Sequence, residues 1–201
     1  MRPQLTSLDL QRAGVGAFFR LRDAVRLGFT HYQLQRMAAQ GHIERVGPGL
    51  YRVAQAEATE LETIAMVASA VPHAIVCLLS ALRVHEIGTQ SPRQVWLAID
   101  RKARKPTRLP TKVSIVRFSG QMLTYGVITQ RMQGVSVHLT NPARTIVDCF
   151  RYRNKVGLDV AMEALRDGVR SRKVQVGEID RAAEVCRIST VIGPYLTALS
   201  A

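Results

Sequence analysis

The sequence predicts an α+β protein: an N-terminal winged helix-turn-helix followed by a mixed α/β C-terminal domain, in which several helices pack on a small sheet. Two short helical segments and a hairpin, separated by glycines, lie between Phe18 and Val53. Strand-like and helix-like segments then alternate to the end of the chain, and basic residues outnumber acidic ones by 28 to 15. We therefore expect a DNA-binding domain over residues 1–56 and a second domain over residues 57–201.

The helix pair is predicted from apolar spacing and capping residues. The first helix ends at Gly28, and its apolar residues are Leu21, Ala24 and Val25. The second begins at Thr30, which forms a Thr-x-x-Gln capping box with Gln33, and it ends at Gly41. Its apolar stripe consists of Leu34, Met37 and Ala38.

A β-hairpin, the wing, is predicted to follow the two helices. Its strands are His42–Val46 and Leu50–Val53, and Gly47-Pro48-Gly49 supplies the turn between them. Two short helices at a sharp angle and a hairpin together form a winged helix-turn-helix.

The outward face of the second helix is predicted to read DNA bases, because Arg and Gln bond base edges in pairs in the major groove. The residues expected there are Tyr32, Gln33, Gln35 and Arg36. Phosphates are expected to be contacted by Arg45 and Arg52 on the wing and by Arg20, Arg22 and Arg26 near the first helix. The alternative is that these side chains are the solvated face of a protein-interaction module.

The second domain is predicted to contain two helices separated by Pro72, then strands, a hairpin and further helices. The hairpin turns at Gln133-Gly134, and Asn141-Pro142 begins the helix after it. The remaining predicted segments are helices over Thr59–Val71, His73–Ile87, Leu158–Val169 and Glu178–Val185, strands over Val95–Ile99 and Val113–Phe118, and an apolar tail over Tyr195–Leu199.

A strongly basic, proline-containing loop connects the two predicted strands. No acidic residue occurs from Arg101 through Val147, a span that also contains Arg117, Arg131 and Arg144. With no carboxylate nearby to neutralise it, this loop is predicted to be a second phosphate-contacting surface. The cations of this basic loop are Arg101, Lys102, Arg104, Lys105, Arg108 and Lys112.

Several other classes of site find no support in the sequence, and we expect no catalytic, cofactor or metal site. Three widely spaced cysteines without a CxxC pair indicate buried, reduced thiols and a cytoplasmic protein. Ser80 and His85 lack a Gly-x-Ser-x-Gly turn, so Ser80 is interpreted as a buried helix residue that bonds back to a carbonyl. Met1–Leu10 lacks the apolar core of a signal peptide, and the uncharged stretch Thr63–Leu82 is amphipathic and broken at Pro72, so no membrane association is expected.

The order of several motifs resembles the AbiEi-type antitoxins of bacterial abortive-infection toxin–antitoxin systems. These motifs are Gly-Pro-Gly-Leu-Tyr-Arg, Cys-Leu-Leu-Ser-Ala-Leu-Arg-Val-His, Val-Trp-Leu-Ala-Ile-Asp-Arg-Lys-Ala-Arg-Lys-Pro, Val-Arg-Phe-Ser-Gly, Pro-Ala-Arg-Thr-Ile-Val-Asp-Cys-Phe-Arg-Tyr-Arg and Ala-Met-Glu-Ala-Leu-Arg. The resemblance implies that the winged helix binds inverted repeats in its own promoter and represses the operon. It also implies that the C-terminal domain antagonises a nucleotidyltransferase-like toxin without requiring a stable complex.

Two other functions remain open on the sequence. A nuclease would use the basic groove for cleavage, and Asp100-Arg101-Lys102 faintly resembles an acid-x-Lys element, but that strand supplies no second carboxylate for a metal. A ligand-responsive repressor would carry an apolar pocket with a few polar groups in its C-terminal half.

Overall fold

The computed structural model describes residues 6–54 and 61–200. The Ala-rich, polar composition of Gln55–Thr59 predicts a linker, and this stretch lies outside the described residues. Contacts divide the chain into two units. The first unit contains the described residues up to Pro72, together with 106–111 and 130–137, and the second contains the rest.

The first unit is a winged helix followed by one further helix. The short strand β1 pairs with β3, and β3 pairs with β2, so the sheet order is β1-β3-β2 and both pairings are antiparallel. The elements are α1 (Ser7–Arg12), β1 (Phe18–Arg20), α2 (Leu21–Arg26), α3 (His31–Ala39), β2 (Ile43–Gly47), β3 (Leu50–Val53) and α4 (Glu62–Ala70). The predicted winged helix-turn-helix is confirmed, and β1 is an element that the sequence analysis did not identify.

The core of the first unit lies between its helices and its sheet. Leu34 and Met37 of α3 are buried as predicted, whereas Val25 of α2 is 36% exposed and does not belong to the core. The ring of Tyr51 stacks on Phe19 of β1 at a centroid distance of 5.9 Å. The buried residues of this core are Leu10, Val15, Phe19, Ala24, Phe29, Leu34, Met37, Ile43 and Val53.

The turn at Gln133-Gly134 packs against the segment that precedes β1. The Ala17 amide donates to the Gln133 carbonyl at 2.7 Å. A Cβ added to Gly134 would lie 2.7 Å from the Gly16 Cα, and Gly134 also has a φ of +75°. Glycine is therefore required at Gly134 both by the close approach of the two backbones and by the left-handed conformation.

A five-stranded sheet has the order β6-β5-β4-β8-β7, and all of its residues except 130–137 belong to the second unit. β5 runs antiparallel to β4 and parallel to β6, and β4 runs parallel to β8. The strands are β4 (Ile75–Val76), β5 (Val95–Asp100), β6 (Val113–Phe118), β7 (Val127–Met132) and β8 (Val135–Thr140). The helices are α5 (Leu78–His85), α6 (Pro142–Arg151), α7 (Arg153–Val156), α8 (Leu158–Arg170), α9 (Val176–Val185) and α10 (Ser189–Ser200), and Gly120–Leu123 forms one 3₁₀ turn.

Two predictions for the second unit are wrong. The stretch His73–Ile87, predicted as one helix, contains the strand β4 before α5 begins at Leu78. A strand of two residues shows no periodicity, and it exists because it lies between β5 and β8. The apolar tail near Tyr195 is the helix α10, which has Pro194 in its interior.

The predicted start of α6 is confirmed in detail. Asn141 is the N-cap, its Oδ1 accepts from the Arg144 amide at 2.9 Å, and Pro142 occupies the first helical position. The residues of α6 from Ala143 to Phe150 are all buried, so this helix forms the centre of the second core. The three cysteines, Cys77, Cys149 and Cys186, are buried free thiols, and burial raises the pKa of each thiol.

Candidate nucleic-acid interface

Helix α3 begins with a complete capping box. The Thr30 Oγ1 accepts from the Gln33 amide at 3.2 Å, and the Gln33 Oε1 accepts from the Thr30 amide at 2.7 Å. Such caps contribute about 0.5–2 kcal/mol to helix stability. The capping contacts fix where α3 begins, and they also occupy the side chain of Gln33. Gln33 thus helps to position the start of α3 through its Oε1.

The face of α3 opposite Leu34 and Met37 is exposed. Tyr32 is 71% exposed, and Gln35 and Arg36 are also exposed, as the helical spacing predicts. These three side chains lie on one face of α3, and the opposite face packs in the core. They therefore have the freedom and the chemistry needed to meet base edges in a groove.

Arg20 has partners within the first unit. Its Nε donates to the Ser69 carbonyl at 3.2 Å, its Nη2 donates to the Ala70 carbonyl, and the Ser69 hydroxyl donates back to the Phe18 carbonyl. These carbonyls lie at the C-terminal end of α4, where a cation satisfies unpaired groups. Burial lowers the pKa of Arg20, but a guanidinium remains charged. Arg20 thus joins α4 to β1, a role different from the predicted phosphate contact.

The two wing arginines differ from each other. Arg45 is exposed. Among the described residues, its side chain makes one long hydrogen bond, in which Nε donates to the Gly47 carbonyl at 3.4 Å. The Arg52 Nε instead lies 3.2 Å from the Glu62 Oε1, and the Arg52 side chain is only 23% exposed. Arg52 was expected to contact phosphate, and the structure pairs it with Glu62 of α4.

Arg22 and Arg26 flank one carboxylate on α2. The Asp23 Oδ1 is 3.7 Å from the Arg22 Nε and 3.9 Å from the Arg26 Nη1. The Arg22 and Arg26 side chains are 56% and 79% exposed. Exposed pairs at these distances are worth well under about 1 kcal/mol, so both arginines remain available to phosphates.

The basic loop between β5 and β6 has no regular secondary structure, as its prolines predict. All six of its cations are exposed, namely Arg101, Lys102, Arg104, Lys105, Arg108 and Lys112. The segment 106–111 belongs to the first unit, and Pro110 packs near Gly47 of the wing. Arg108 is therefore carried on a segment that packs against the wing.

Two other arginines of the acid-free span have structural roles. The Arg117 Nη1 donates to the carbonyls of Asp100 and Ala103, at 2.9 and 2.5 Å, and thereby braces the start of the basic loop. Arg144 is fully buried, so it cannot contribute to a basic surface. Arg144 lies in the acid-free span of the sequence but is not part of the basic loop.

The residues considered for catalysis have structural partners. The Ser80 Oγ accepts from the Trp96 amide at 2.9 Å, so its partner is a neighbouring strand and not the helix carbonyl that we expected. A ring nitrogen of His85 lies 2.7 Å from the Thr140 carbonyl oxygen. The Asp100 Oδ1 accepts from the Lys102 amide at 2.7 Å. Within residues 6–54 and 61–200, no group of three or more His, Cys, Asp or Glu residues could hold a metal ion.

A concave surface on α8 bears on the ligand-responsive alternative. Apolar Leu158 and Met162 line it, but so do five charged side chains: Asp159, Glu163, Arg166, Asp167 and Arg170. The Glu163 and Asp167 carboxylates accept from the amides of Thr89 and Gly88 at 2.9 and 2.8 Å. This charged lining does not fit the predicted apolar ligand pocket. Over the described ranges, no helix is both long and apolar enough to cross a membrane.

The elements of the first unit define its class, a winged helix-turn-helix. Residues 8–54 match the family described as "Transcriptional regulator, AbiEi antitoxin". The match confirms the resemblance to AbiEi antitoxins over α1 to β3, the part of the chain that carries α3 and the wing.

Similarity of fold extends over more of the chain. The crystal structure of the RV2827C protein from Mycobacterium tuberculosis superposes with a TM-score of 0.59, covering 89% of this chain and 69% of that chain at 12% sequence identity. At this identity the likeness concerns the fold alone. No curated protein sequence matches the chain.

Proposed function

We propose that the protein is a DNA-binding antitoxin that represses its own toxin–antitoxin operon through the winged helix. The observation that carries this proposal is the exposed face of α3, with Tyr32, Gln35 and Arg36, within the stretch that matches the AbiEi regulator family. The net charge of +13 supports a polyanionic partner.

The operator is expected to consist of inverted repeats in the operon promoter, bound without a cofactor or metal in the cytoplasm. Base readout is assigned to Tyr32, Gln35 and Arg36, and phosphate contacts to Arg22, Arg26 and Arg45. The cations of the basic loop add to the phosphate contacts. Footprinting of the full chain on its own promoter tests this assignment, and protection absent from the inverted repeats would contradict it.

The second unit is proposed to antagonise a nucleotidyltransferase-like toxin, in a non-enzymatic role. This part of the proposal rests on the resemblance of the motifs in the second half. Co-expression of the protein with the product of the adjacent gene should restore growth that the toxin alone arrests. Normal growth with the adjacent gene alone would remove the toxin from the proposal.

A further inference from the structure

A cleft in the second unit lies between the 3₁₀ turn after β6 and the ends of α6 and α9. Its volume is about 530 Å³, which lies within the range of ligand sites. It is lined by Ser119, Gly120, Gln121, Met122, Arg151, Val185, Cys186 and Arg187. None of these described lining residues is Asp or Glu, so the two arginines give the cleft a positive charge that no lining carboxylate offsets.

Arg151 is held in place at one side of this cleft. Its Nη1 donates to the Cys186 carbonyl at 2.8 Å, which is a carbonyl at the end of α9. A guanidinium has five N–H donors, so this contact orients the group without exhausting its donors. An oriented, exposed guanidinium is the preferred protein partner of a phosphate group.

Arg187 supplies the second positive charge. Its backbone is fixed by a hydrogen bond from its amide to the Glu184 carbonyl at 3.0 Å, and its side chain is exposed. Within the described ranges, the Arg187 side chain has no hydrogen bond or ion pair. Among residues 6–54 and 61–200, no contact of the Arg187 side chain therefore requires a cation at this position.

The remaining lining is suited to the uncharged part of a ligand. Ser119 and Gln121 offer a hydroxyl and an amide, and Met122 and Val185 offer apolar surface. We propose that this cleft binds the phosphate group of a nucleotide, free or at the end of a strand, through Arg151 and Arg187. The site is independent of the winged helix and of the proposed operator binding.

The test measures binding of AMP, inorganic phosphate, adenosine and a 5′-phosphorylated short RNA to the full chain by calorimetry. The decisive variant is Arg187→Gln, since that side chain has no hydrogen bond or ion pair with the residues that the structure describes. Arg172→Gln is the matched control: Arg172 is also exposed, its φ is +56° against +55° for Arg187, and it lies outside the cleft. Both variants remove one charge from the same backbone conformation.

The wild-type chain and Arg172→Gln should bind AMP equally, and Arg187→Gln should bind about tenfold more weakly or worse, the loss expected for one charged hydrogen bond. Adenosine should not bind. If the phosphorylated RNA binds through Arg187 and AMP does not, the phosphate belongs to a strand end, and the site is still supported. Equal binding by wild type and Arg187→Gln, an equal loss in both variants, or no binding of any phosphate probe would overturn the proposal.

Discussion

Arg144 and Asp148 form an ion pair in the interior of the second unit, where neither side chain is exposed to solvent. The Arg144 Nε lies 2.9 Å from the Asp148 Oδ1, one helical turn away on α6. The guanidinium also donates to the carbonyls of Tyr125 and Met122 at 2.7 and 3.2 Å and lies over the Phe118 ring. The cation is thus well satisfied, whereas the Asp148 Oδ2 has no hydrogen-bond partner among the described residues.

The first prediction concerns the pH dependence of folding stability. Burial raises the pKa of Asp148 from 3.8 to about 6, although Arg144 opposes the shift. Between these two values the folded state binds the Asp148 proton more tightly than the unfolded state does, so the contribution of Asp148 to the free energy of unfolding should fall as pH rises from about 4 to 6. Asp148→Asn should remove this contribution to the slope, because the amide does not titrate and resembles the neutral carboxyl group that the raised pKa favours.

Denaturant titrations across this pH range measure the slope. Asp180→Asn is the control, because Asp180 is exposed on α9, and it should keep the wild-type slope. A wild-type slope in Asp148→Asn would mean that Asp148 is not the titrating group.

The second prediction concerns base readout by α3. Arg36→Ala should weaken binding to the native promoter by about 1–3 kcal/mol and affect random DNA much less. Gln35→Ala should behave similarly with a smaller loss. Equilibrium binding to both DNAs measures the difference, and Arg172→Ala controls for lost charge. Equal losses on promoter and random DNA would assign Arg36 to phosphate.

The third prediction separates the two wing arginines. Arg45→Ala should lower affinity for all DNA sequences and reduce the slope of log K against log salt by about one unit. Arg52→Ala should leave that slope nearly unchanged but lower thermal stability, since it removes the partner of the half-buried Glu62. Salt titrations and thermal melts of both variants measure these effects. A reduced salt slope in Arg52→Ala would return this residue to the DNA surface.

The fourth prediction concerns the basic loop. Replacing Arg101, Lys102, Arg104, Lys105 and Arg108 with Gln should reduce the salt slope by about four to five units without unfolding the chain, because all five side chains are exposed. The control variant replaces five exposed cations outside the loop, so its net charge equals that of the loop variant. These cations are Arg93, Lys155, Arg166, Arg172 and Arg181. If the loop meets the toxin or its target instead, the variant will repress normally and fail to rescue growth.

The fifth prediction tests the close approach at the β7–β8 turn. Gly134→Ala should lower the free energy of unfolding by about 1 kcal/mol for the left-handed backbone and by about 1–3 kcal/mol more for overpacking against Gly16. Gly14→Ala is the control, since Gly14 has a φ of +84° and no atom within 4 Å of its added Cβ. Chemical denaturation measures the free energy of unfolding of both variants. Equal losses in the two variants would show that the backbones at Gly16 and Gly134 separate at little cost.

Features set by neighbouring residues could be predicted from the sequence. The Thr30–Gln33 box, the Asn141-Pro142 start of α6 and the turn at Gln133-Gly134 each depend on residues within three positions of one another. Base-reading candidates on α3 followed from helical spacing, because the apolar stripe fixes which face is exposed.

Long-range partners could not be predicted in this way. Arg20 contacts carbonyls 49 and 50 positions away, and Arg144 contacts carbonyls 19 and 22 positions away. A charged residue in a basic sequence gives no sign of whether it faces solvent or satisfies a distant backbone. The strand β4 could not be predicted for the same reason, because it is defined by the strands on either side of it.

Translation releases residues 6–54 from the ribosome well before Gln133 and Gly134 have been synthesised. Until that turn emerges, the Ala17 amide lacks the Gln133 carbonyl to which it donates, and Gly16 lacks the backbone that packs against it. The residues that complete the first unit are therefore synthesised after β4, β5 and β6 and after the start of β7. A chain that terminates before Gln133 lacks both the carbonyl that accepts from the Ala17 amide and the backbone that packs against Gly16, so its first unit is incomplete.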